Sequence, residues 1–180
     1  HAYGQSNISA IAIHENGIPY TFSEESLADA EGAVEPSLEE RIDLRDIPLV
    51  TIDGADARDF DDAVWAEPDP DIDGGWHIIV AIADVSWYVR PGSSLDRDAR
   101  ERGNSVYFPD RVVPMLPEAL SNGLCSLKPN ENRPCLAVHM WIAPNGGLTR
   151  HTFVRGLMKS TARLTYSEVQ AIHDGRRDDL

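Results

Sequence analysis

Five aspartates lie within ten residues of the chain, and their type and spacing indicate metal-assisted chemistry. They are Asp53, Asp56, Asp59, Asp61 and Asp62. Ionised carboxylates held together beside apolar residues are costly unless a counter-charge neutralises them. Hard oxygen ligands suit Mg²⁺ or Mn²⁺, and such ions can activate water and offset charge on a phosphorus centre. The segment therefore predicts phosphoryl chemistry at a divalent-metal site.

Two other interpretations of the acidic segment compete with a catalytic metal site. An EF-hand calcium loop needs Gly at its sixth position and Glu at its twelfth. Counting from Asp53, these positions hold Arg58 and Val64, so structural calcium fits poorly. A solvated acidic turn is the other interpretation, and composition alone supports it equally well. The apolar neighbours Ile52 and Phe60 weigh against it, because solvated loops seldom interleave carboxylates with apolar residues.

The acidic segment is flanked by two short runs that predict strands. Apolar and β-branched residues fill 49–52 before it and 63–66 after it. The carboxylates are therefore expected between strands. A longer apolar stretch, 76–89, contains the near-continuous run 78–83, which predicts a central strand covered on both faces.

The second half of the chain adds a hairpin and two helices. Apolar runs 135–142 and 148–158 flank a turn at 144–147. The helix signals are Ser94 as a cap before 95–102, Gly103 as its end, and a Thr165–Glu168 capping box that starts a helix closed by Gly175. With no internal repeat or low-complexity tract, we predict a single α/β or mixed α+β body.

The first forty residues differ from the rest of the chain in their residue pattern and composition. Alternating apolar residues on both sides of Asn16-Gly17 predict a hairpin over 9–22, because Asn-Gly suits a tight type I′ turn. Residues 23–40 are rich in Glu, Ser and Ala and include Pro36, which indicates a linker in which a helical turn can form. We place a boundary near Glu40.

Composition restricts the class of protein. The hydrophobic fraction of 42% is ordinary for a globular protein, and no apolar run approaches the ~20 residues of a membrane span, so we expect no membrane insertion. No secretory signal opens the sequence, and Cys125 and Cys135 lack metal or redox spacing, which favours packed thiols in a cytoplasmic protein. The net charge of −14 gives no basic footprint for a nucleic acid. Carboxylates that hold divalent cations can nevertheless bind a polyanion.

Eight blocks of sequence, in order, resemble the RNB catalytic domain of the ribonuclease II and ribonuclease R family. The blocks are 41–46, 51–54, 59–63, 81–86, 105–109, 114–117, 120–127 and 162–166. The amino-acid sequences of these blocks resemble ribonuclease R more closely than ribonuclease II. The resemblance spans the chain from about Arg41 and implies the RNB catalytic core, which is a mixed sheet with packed helices, here incomplete.

The resemblance implies a Mg²⁺-dependent hydrolytic 3′-to-5′ exoribonuclease, with Mn²⁺ as a possible substitute. Such enzymes degrade single-stranded RNA processively and release nucleoside 5′-monophosphates. The family's metal-binding aspartates fall on Asp53, Asp59, Asp61 and Asp62, with Asp61 and Asp59 serving catalysis, while Asp56 lies outside the set. Tyr107 matches the tyrosine that stacks on the last base of the RNA, although core packing beside its apolar neighbours is the alternative.

The resemblance also implies that this chain is part of a longer protein. Residues 1–40 are expected to be the end of a preceding cold-shock-like barrel plus a linker, and residues 41–180 the N-terminal part of the catalytic domain. An arginine near the reacting phosphate, a further acidic residue and an S1 barrel would lie elsewhere in the parent chain, so the fragment alone is expected to be inactive. The alternatives are a catalytically silent RNA-binding homologue and a metal-stabilised interaction module.

Overall fold

The structure is a computed structural model that describes residues 5–176. Five α-helices lie in this range: α1 Gln5–Glu15, α2 Glu24–Glu31, α3 Val85–Tyr88, α4 Ser94–Arg102 and α5 Tyr166–His173. Nine strands accompany them: β1 Ile42–Asp43, β2 Val50–Asp53, β3 Asp62–Pro68, β4 Trp76–Ala83, β5 Val106–Tyr107, β6 Val112–Val113, β7 Asn132–Ile142, β8 Leu148–Lys159 and β9 Ala162–Thr165. The predicted mixed α+β fold is confirmed. None of the described helices combines the length and apolar character needed to cross a membrane.

The chain divides into two compact units. Residues 35–84 and 124–176 form the sheet unit, and residues 5–34 and 85–123 form the helical unit. The sheet unit contains seven strands in the order β1-β8-β7-β4-β3-β2-β9. The β1–β8 and β2–β9 pairs are parallel and the others are antiparallel, so the sheet is mixed as predicted.

Strand β4 is the central strand of this sheet, but only one of its faces is buried. Ile79, Ala81 and Ala83 alternate along that face and are at most 6% exposed, whereas Ile82 on the other face is 46% exposed. The prediction of a strand covered on both faces was therefore wrong. A continuous apolar run shows only that both faces of the strand carry apolar side chains. It does not show that other elements pack on both faces.

The buried face of the sheet unit carries a conventional aliphatic core. Its fully or nearly fully buried members include Leu44, Leu49, Leu127 and Met158. Burying each such side chain contributes roughly 1.5–3 kcal/mol relative to exposure. Gly156 of β8 is needed here, because a Cβ at that position would lie 2.5 Å from Cδ1 of Leu44. Close packing thus fixes β8 against the segment that follows β1.

The predicted hairpin in the second half of the chain is confirmed. Strands β7 and β8 pair antiparallel over eleven registered positions, from Asn132↔Lys159 to Ile142↔Leu148. The turn between them contains Gly146 with a φ of 82°, in the left-handed region that favours glycine. The Thr165–Glu168 capping box at the start of α5 is also confirmed, since both of its reciprocal hydrogen bonds are present.

The helical unit is built on two capped helices that contact each other. The N-cap of α4 is Ser93, whose side chain accepts the amide of Asp96, and not Ser94 as predicted. Gly103 ends α4 with a φ of 76°, as predicted. Ser23 caps α2 and donates its hydroxyl to Asp98 of α4 at 3.0 Å. The predicted linker therefore contains a packed two-turn helix.

The hairpin predicted over residues 9–22 was wrong, because this segment begins with helix α1. Gly17 adopts a φ of 59°, and the amide of Ile18 donates to the carbonyl of Ile13 at 3.0 Å. This is the pattern of a helix end with a left-handed glycine. An Asn-Gly pair suits a hairpin turn and a helix terminus equally, and the alanines of the segment favour the helix. The barrel end assigned to residues 1–40 stays a prediction without this support, and residues 1–4 lie outside the described range.

Candidate metal centre

The acidic segment forms the connection between two neighbouring antiparallel strands. Asp53 is the last residue of β2, Asp62 is the first residue of β3, and residues 54–61 make an irregular loop between them. Asp53 also lies opposite Thr165 of the parallel strand β9. Strand β2 ends here because Gly54 follows, and glycine is disfavoured within strands. The predicted placement of the carboxylates between strands is confirmed.

The structure brings three of the other aspartates close enough to Asp61 for their charges to act on it. The pKa of Asp61 is raised from its usual 3.8 to about 6, first by burial and then by neighbouring negative charges. Those charges belong to Asp59, Asp62 and Asp53, in decreasing order of effect. Asp61 remains solvent-exposed over the residue as a whole, so water screens part of this repulsion. Ionising all four carboxylates therefore costs free energy that a bound cation would offset.

Asp56 differs from the other aspartates of the loop. Its side chain is exposed, and its charge is not among those that raise the pKa of Asp61. The resemblance to the RNB family had separated the same residue from the predicted metal ligands.

The donor set fits a hard divalent cation by its chemistry. Four carboxylates offer only oxygen ligands, which Mg²⁺ and Mn²⁺ prefer, and their mutual repulsion calls for positive charge. Across residues 5–176, no three His, Cys, Asp or Glu side chains meet in an arrangement ready to hold an ion. Holding a cation would therefore require these carboxylates to rearrange.

The loop that carries the aspartates is tied to the sheet unit through its backbone. The amide of Ala83 donates to the carbonyl of Asp61 at 2.9 Å, and the amide of Leu127 donates to the carbonyl of Phe60 at 2.8 Å. The ring of Phe60 is buried, with 6% exposure. Side chains of Ser126 and Arg163 also contact the loop. Local sequence patterns could not predict these two contacts, because Ser126 lies 68 positions from Arg58 and Arg163 lies 108 positions from Ala55.

Tyr107 lies in the helical unit, in the short β5–β6 pair opposite Val112. Its side chain is 66% exposed, which contradicts the alternative that it fills a core. An exposed aromatic face is what base stacking requires.

Asp84 follows β4 directly and forms a buried ion pair. Nη2 of Arg41 donates to Oδ2 of Asp84 at 2.7 Å, and both side chains are 4% exposed. Arg155 reaches the same oxygen at 3.2 Å from a side chain that is 55% exposed. The carboxylate at the end of β4 thus connects the residue before β1 with β8, which is a structural role.

Comparison with known proteins gives consistent matches over most of the chain. Residues 41–179 match the family model of the RNB domain. Ribonuclease R of Escherichia coli (strain K12) is 52% identical over 172 residues, which are 93% of this chain and 21% of that protein. The chain therefore spans about a fifth of the length of this relative.

Solved structures show the same fold. Mycoplasma genitalium RNase R in complex with double-stranded RNA matches with a TM-score of 0.88 at 31% identity, covering 96% of this chain and 31% of that one. Yeast Ssd1, a pseudonuclease, matches with a TM-score of 0.65 at 20% identity, covering 84% of this chain and 17% of that one. At that identity the second likeness shows the fold alone.

Proposed function

The chain belongs to the RNB domain family, and from this premise we propose that it supplies the metal-binding carboxylates of a hydrolytic 3′-to-5′ exoribonuclease. The observation that carries the proposal is the raised pKa of Asp61, caused in part by the charges of Asp59, Asp62 and Asp53. Four carboxylates that repel one another in a loop beside a sheet suit a divalent cation better than they suit a solvated turn.

The proposed cofactor is Mg²⁺, or Mn²⁺ in its place, held by Asp53, Asp59, Asp61 and Asp62. When bound, such an ion polarises a phosphodiester and activates water. The chain's own residues contribute the rest of the argument. Asp53 is the last residue of β2 and Asp62 the first residue of β3, so both are held by strands, whereas Asp59 and Asp61 lie in the loop. Asp61, whose pKa is raised to about 6, is the residue whose loss should reduce the rate most.

We propose single-stranded RNA with a free 3′ end as the substrate and nucleoside 5′-monophosphates as the products, released processively. The support is the named relatives, which are ribonucleases R, together with the exposed ring of Tyr107. Tyr107 stacks on the terminal base in this proposal, which contributes ~1–3 kcal/mol per base. The partners would be the RNA and the other domains of the parent protein, in the cytoplasm. Because the chain spans about a fifth of the E. coli relative, we expect little or no activity from it alone.

A catalytically silent RNA-binding homologue is the competing proposal. The likeness to a pseudonuclease shows that this fold does not guarantee cleavage. The presence of all four aspartates, and their proximity, favours the enzyme.

The decisive experiment replaces Asp61 with Asn in the intact parent protein and measures Mg²⁺-dependent release of nucleoside 5′-monophosphates from a labelled single-stranded RNA. The change keeps the size of the side chain and removes its charge, so we expect a loss of at least about 100-fold in rate. Asp56→Asn is the matched control, since it makes the same substitution in the same loop and should leave the rate unchanged. An Asp61→Asn protein that works at the wild-type rate would refute the assignment.

A further inference from the structure

The loop of residues 54–61 has few hydrogen bonds within itself to hold the backbone that carries Asp59 and Asp61. Asp53 and Asp62, which flank it, belong to strands, whereas its own residues form no strand. Two of its carbonyls, those of Phe60 and Asp61, accept the amides of Leu127 and Ala83, at 2.8 and 2.9 Å. Within the loop, one backbone hydrogen bond joins the amide of Ala57 to the carbonyl of Gly54 at 3.2 Å. Mutual repulsion of the carboxylates favours open conformations. Something outside the loop must therefore hold its backbone if the carboxylates are to meet at one cation.

Ser126 holds the half of the loop that carries Asp59. This serine is completely buried, and its hydroxyl accepts the amide of Phe60 at 3.1 Å while donating to the carbonyl of Arg58 at 3.2 Å. The two bonds bracket Asp59 on both sides. The carbonyl of Ser126 in turn accepts Nε of Arg133 at 2.9 Å, and Arg133 is itself only 5% exposed. The hydroxyl is thus a fixed point of the sheet unit and not a mobile surface group.

Arg163 holds the other half of the loop. It lies on β9, the strand that pairs with β2, and it is opposite Thr51. Asp53 ends β2 two residues later. Its Nη2 donates to the carbonyls of Ala55 and Ala57, at 2.8 and 3.3 Å. Its guanidinium carbon also lies 4.9 Å from the centre of the Phe60 ring. Ser126 and Arg163 together therefore hold backbone groups on both sides of the irregular stretch.

We propose that Ser126 and Arg163 are positioning residues that hold the acidic loop in the conformation that binds the divalent cation. This inference rests on the proposed function, because it assigns two supporting residues to the same metal site. Neither residue contacts the cation or the RNA in this proposal. Both act by fixing the backbone from which Asp59 and Asp61 project. Groups that orient metal ligands in this way typically change metal affinity by about 10-fold to 100-fold when they are removed.

Mn²⁺ binding to the chain, measured by titration calorimetry, tests the inference without any need for activity. We expect Ser126→Ala and Arg163→Gln each to raise the Kd for Mn²⁺ by about 10-fold. Ser160→Ala is the matched control, because Ser160 is 1% exposed and its hydroxyl donates to the carbonyl of Ala162, away from the acidic loop. Its affinity should stay within about twofold of the wild type. Each variant is titrated at a temperature at which circular dichroism shows it folded.

The Arg163→Gln variant separates positioning from simple electrostatics. The guanidinium of Arg163 repels any cation that binds nearby. If its role were only electrostatic, removing its charge would therefore tighten Mn²⁺ binding. A positioning role predicts weaker binding. Because Arg163 is exposed, this variant also remains informative if the buried Ser126→Ala change prevents folding.

Hydrogen exchange of the Phe60 amide is the second readout. In the metal-free chain the Phe60 amide should exchange faster in Ser126→Ala, because this variant lacks the hydroxyl that accepts the amide. The amide should also exchange faster in Arg163→Gln, although Arg163 does not accept a hydrogen bond from it. Ser160→Ala should exchange at the wild-type rate. Unchanged exchange in Arg163→Gln would overturn the joint role of the two residues.

A variant outside the inferred pair separates failure of this inference from failure of the proposed function. If Asp61→Asn weakens Mn²⁺ binding while Ser126→Ala and Arg163→Gln do not, the positioning role is overturned and the metal site stands. If the wild-type chain does not bind Mn²⁺, or binds it equally well with Asp61→Asn, the proposed metal site is overturned and the positioning role with it.

Discussion

Replacing Arg41 with methionine should destabilise the sheet unit by breaking its buried ion pair with Asp84. The two side chains meet at 2.7 Å and each is 4% exposed. Removing one partner of such a pair costs roughly 3–5 kcal/mol, because the remaining charge stays desolvated. Asp84 keeps the second cation, Arg155, at 3.2 Å. We therefore expect the lower end of the range for Arg41→Met, about 3 kcal/mol.

Replacing Asp84 with asparagine should cost more than removing Arg41. It removes the carboxylate that Nη2 of the buried Arg41 guanidinium contacts at 2.7 Å. We expect a loss of about 4–5 kcal/mol, a large fraction of the ~5–15 kcal/mol that stabilises a typical protein. Urea unfolding followed by circular dichroism measures both losses. Arg155→Gln is the control, because this side chain is 55% exposed and such pairs are worth at most about 1 kcal/mol.

A double variant tests the electrostatic origin of these losses. Arg41→Met combined with Asp84→Asn removes both charges of the pair, so it should cost less than the sum of the single changes. The reasoning is refuted if Arg41→Met and Asp84→Asn each fall within about 1 kcal/mol of the wild type.

Three further predictions follow from the burial and charge of single residues. The folded-state pKa of Asp61 is raised to about 6, so the stability that this carboxyl contributes is present below its unfolded value of 3.8 and lost as the pH rises through 6. Asp61→Asn should therefore raise the melting temperature of the metal-free chain at about pH 8 and not at about pH 3, and an equal effect at both would contradict the assignment. Thr51→Val should leave the free energy of unfolding unchanged or raise it by up to about 1 kcal/mol, because Oγ1 of Thr51 is buried without a hydrogen-bond partner in the described chain. A loss above about 1 kcal/mol in urea unfolding would show that the hydroxyl is satisfied. Burial raises the pKa of the thiols of Cys125 and Cys135 to about 12, so iodoacetamide should modify them only in denaturant, and rapid labelling of the native chain would show that the core opens.

Short-range signals in the sequence predicted much of the fold. The β7–β8 hairpin, the Thr165–Glu168 capping box and the helix end at Gly103 depend on residues that are neighbours in the chain. Such signals fail where one local pattern fits two structures. Asn16-Gly17 was interpreted as a hairpin turn, but a left-handed glycine also ends a helix, and α1 is what the structure shows.

The sequence by itself determined which ligands this segment can offer, because the carboxylates between 53 and 62 provide only oxygen atoms. Only the tertiary structure decided which of them interact, since the pKa of Asp61 depends on distances between side chains and on burial. It also decided what holds their loop. Ser126 reaches Phe60 across 66 positions of sequence, and Arg163 reaches Ala55 across 108. Contacts of that range depend on how the strands are arranged in the sheet. The residues next to a hydroxyl or a guanidinium in the sequence do not predict which carbonyl it will contact.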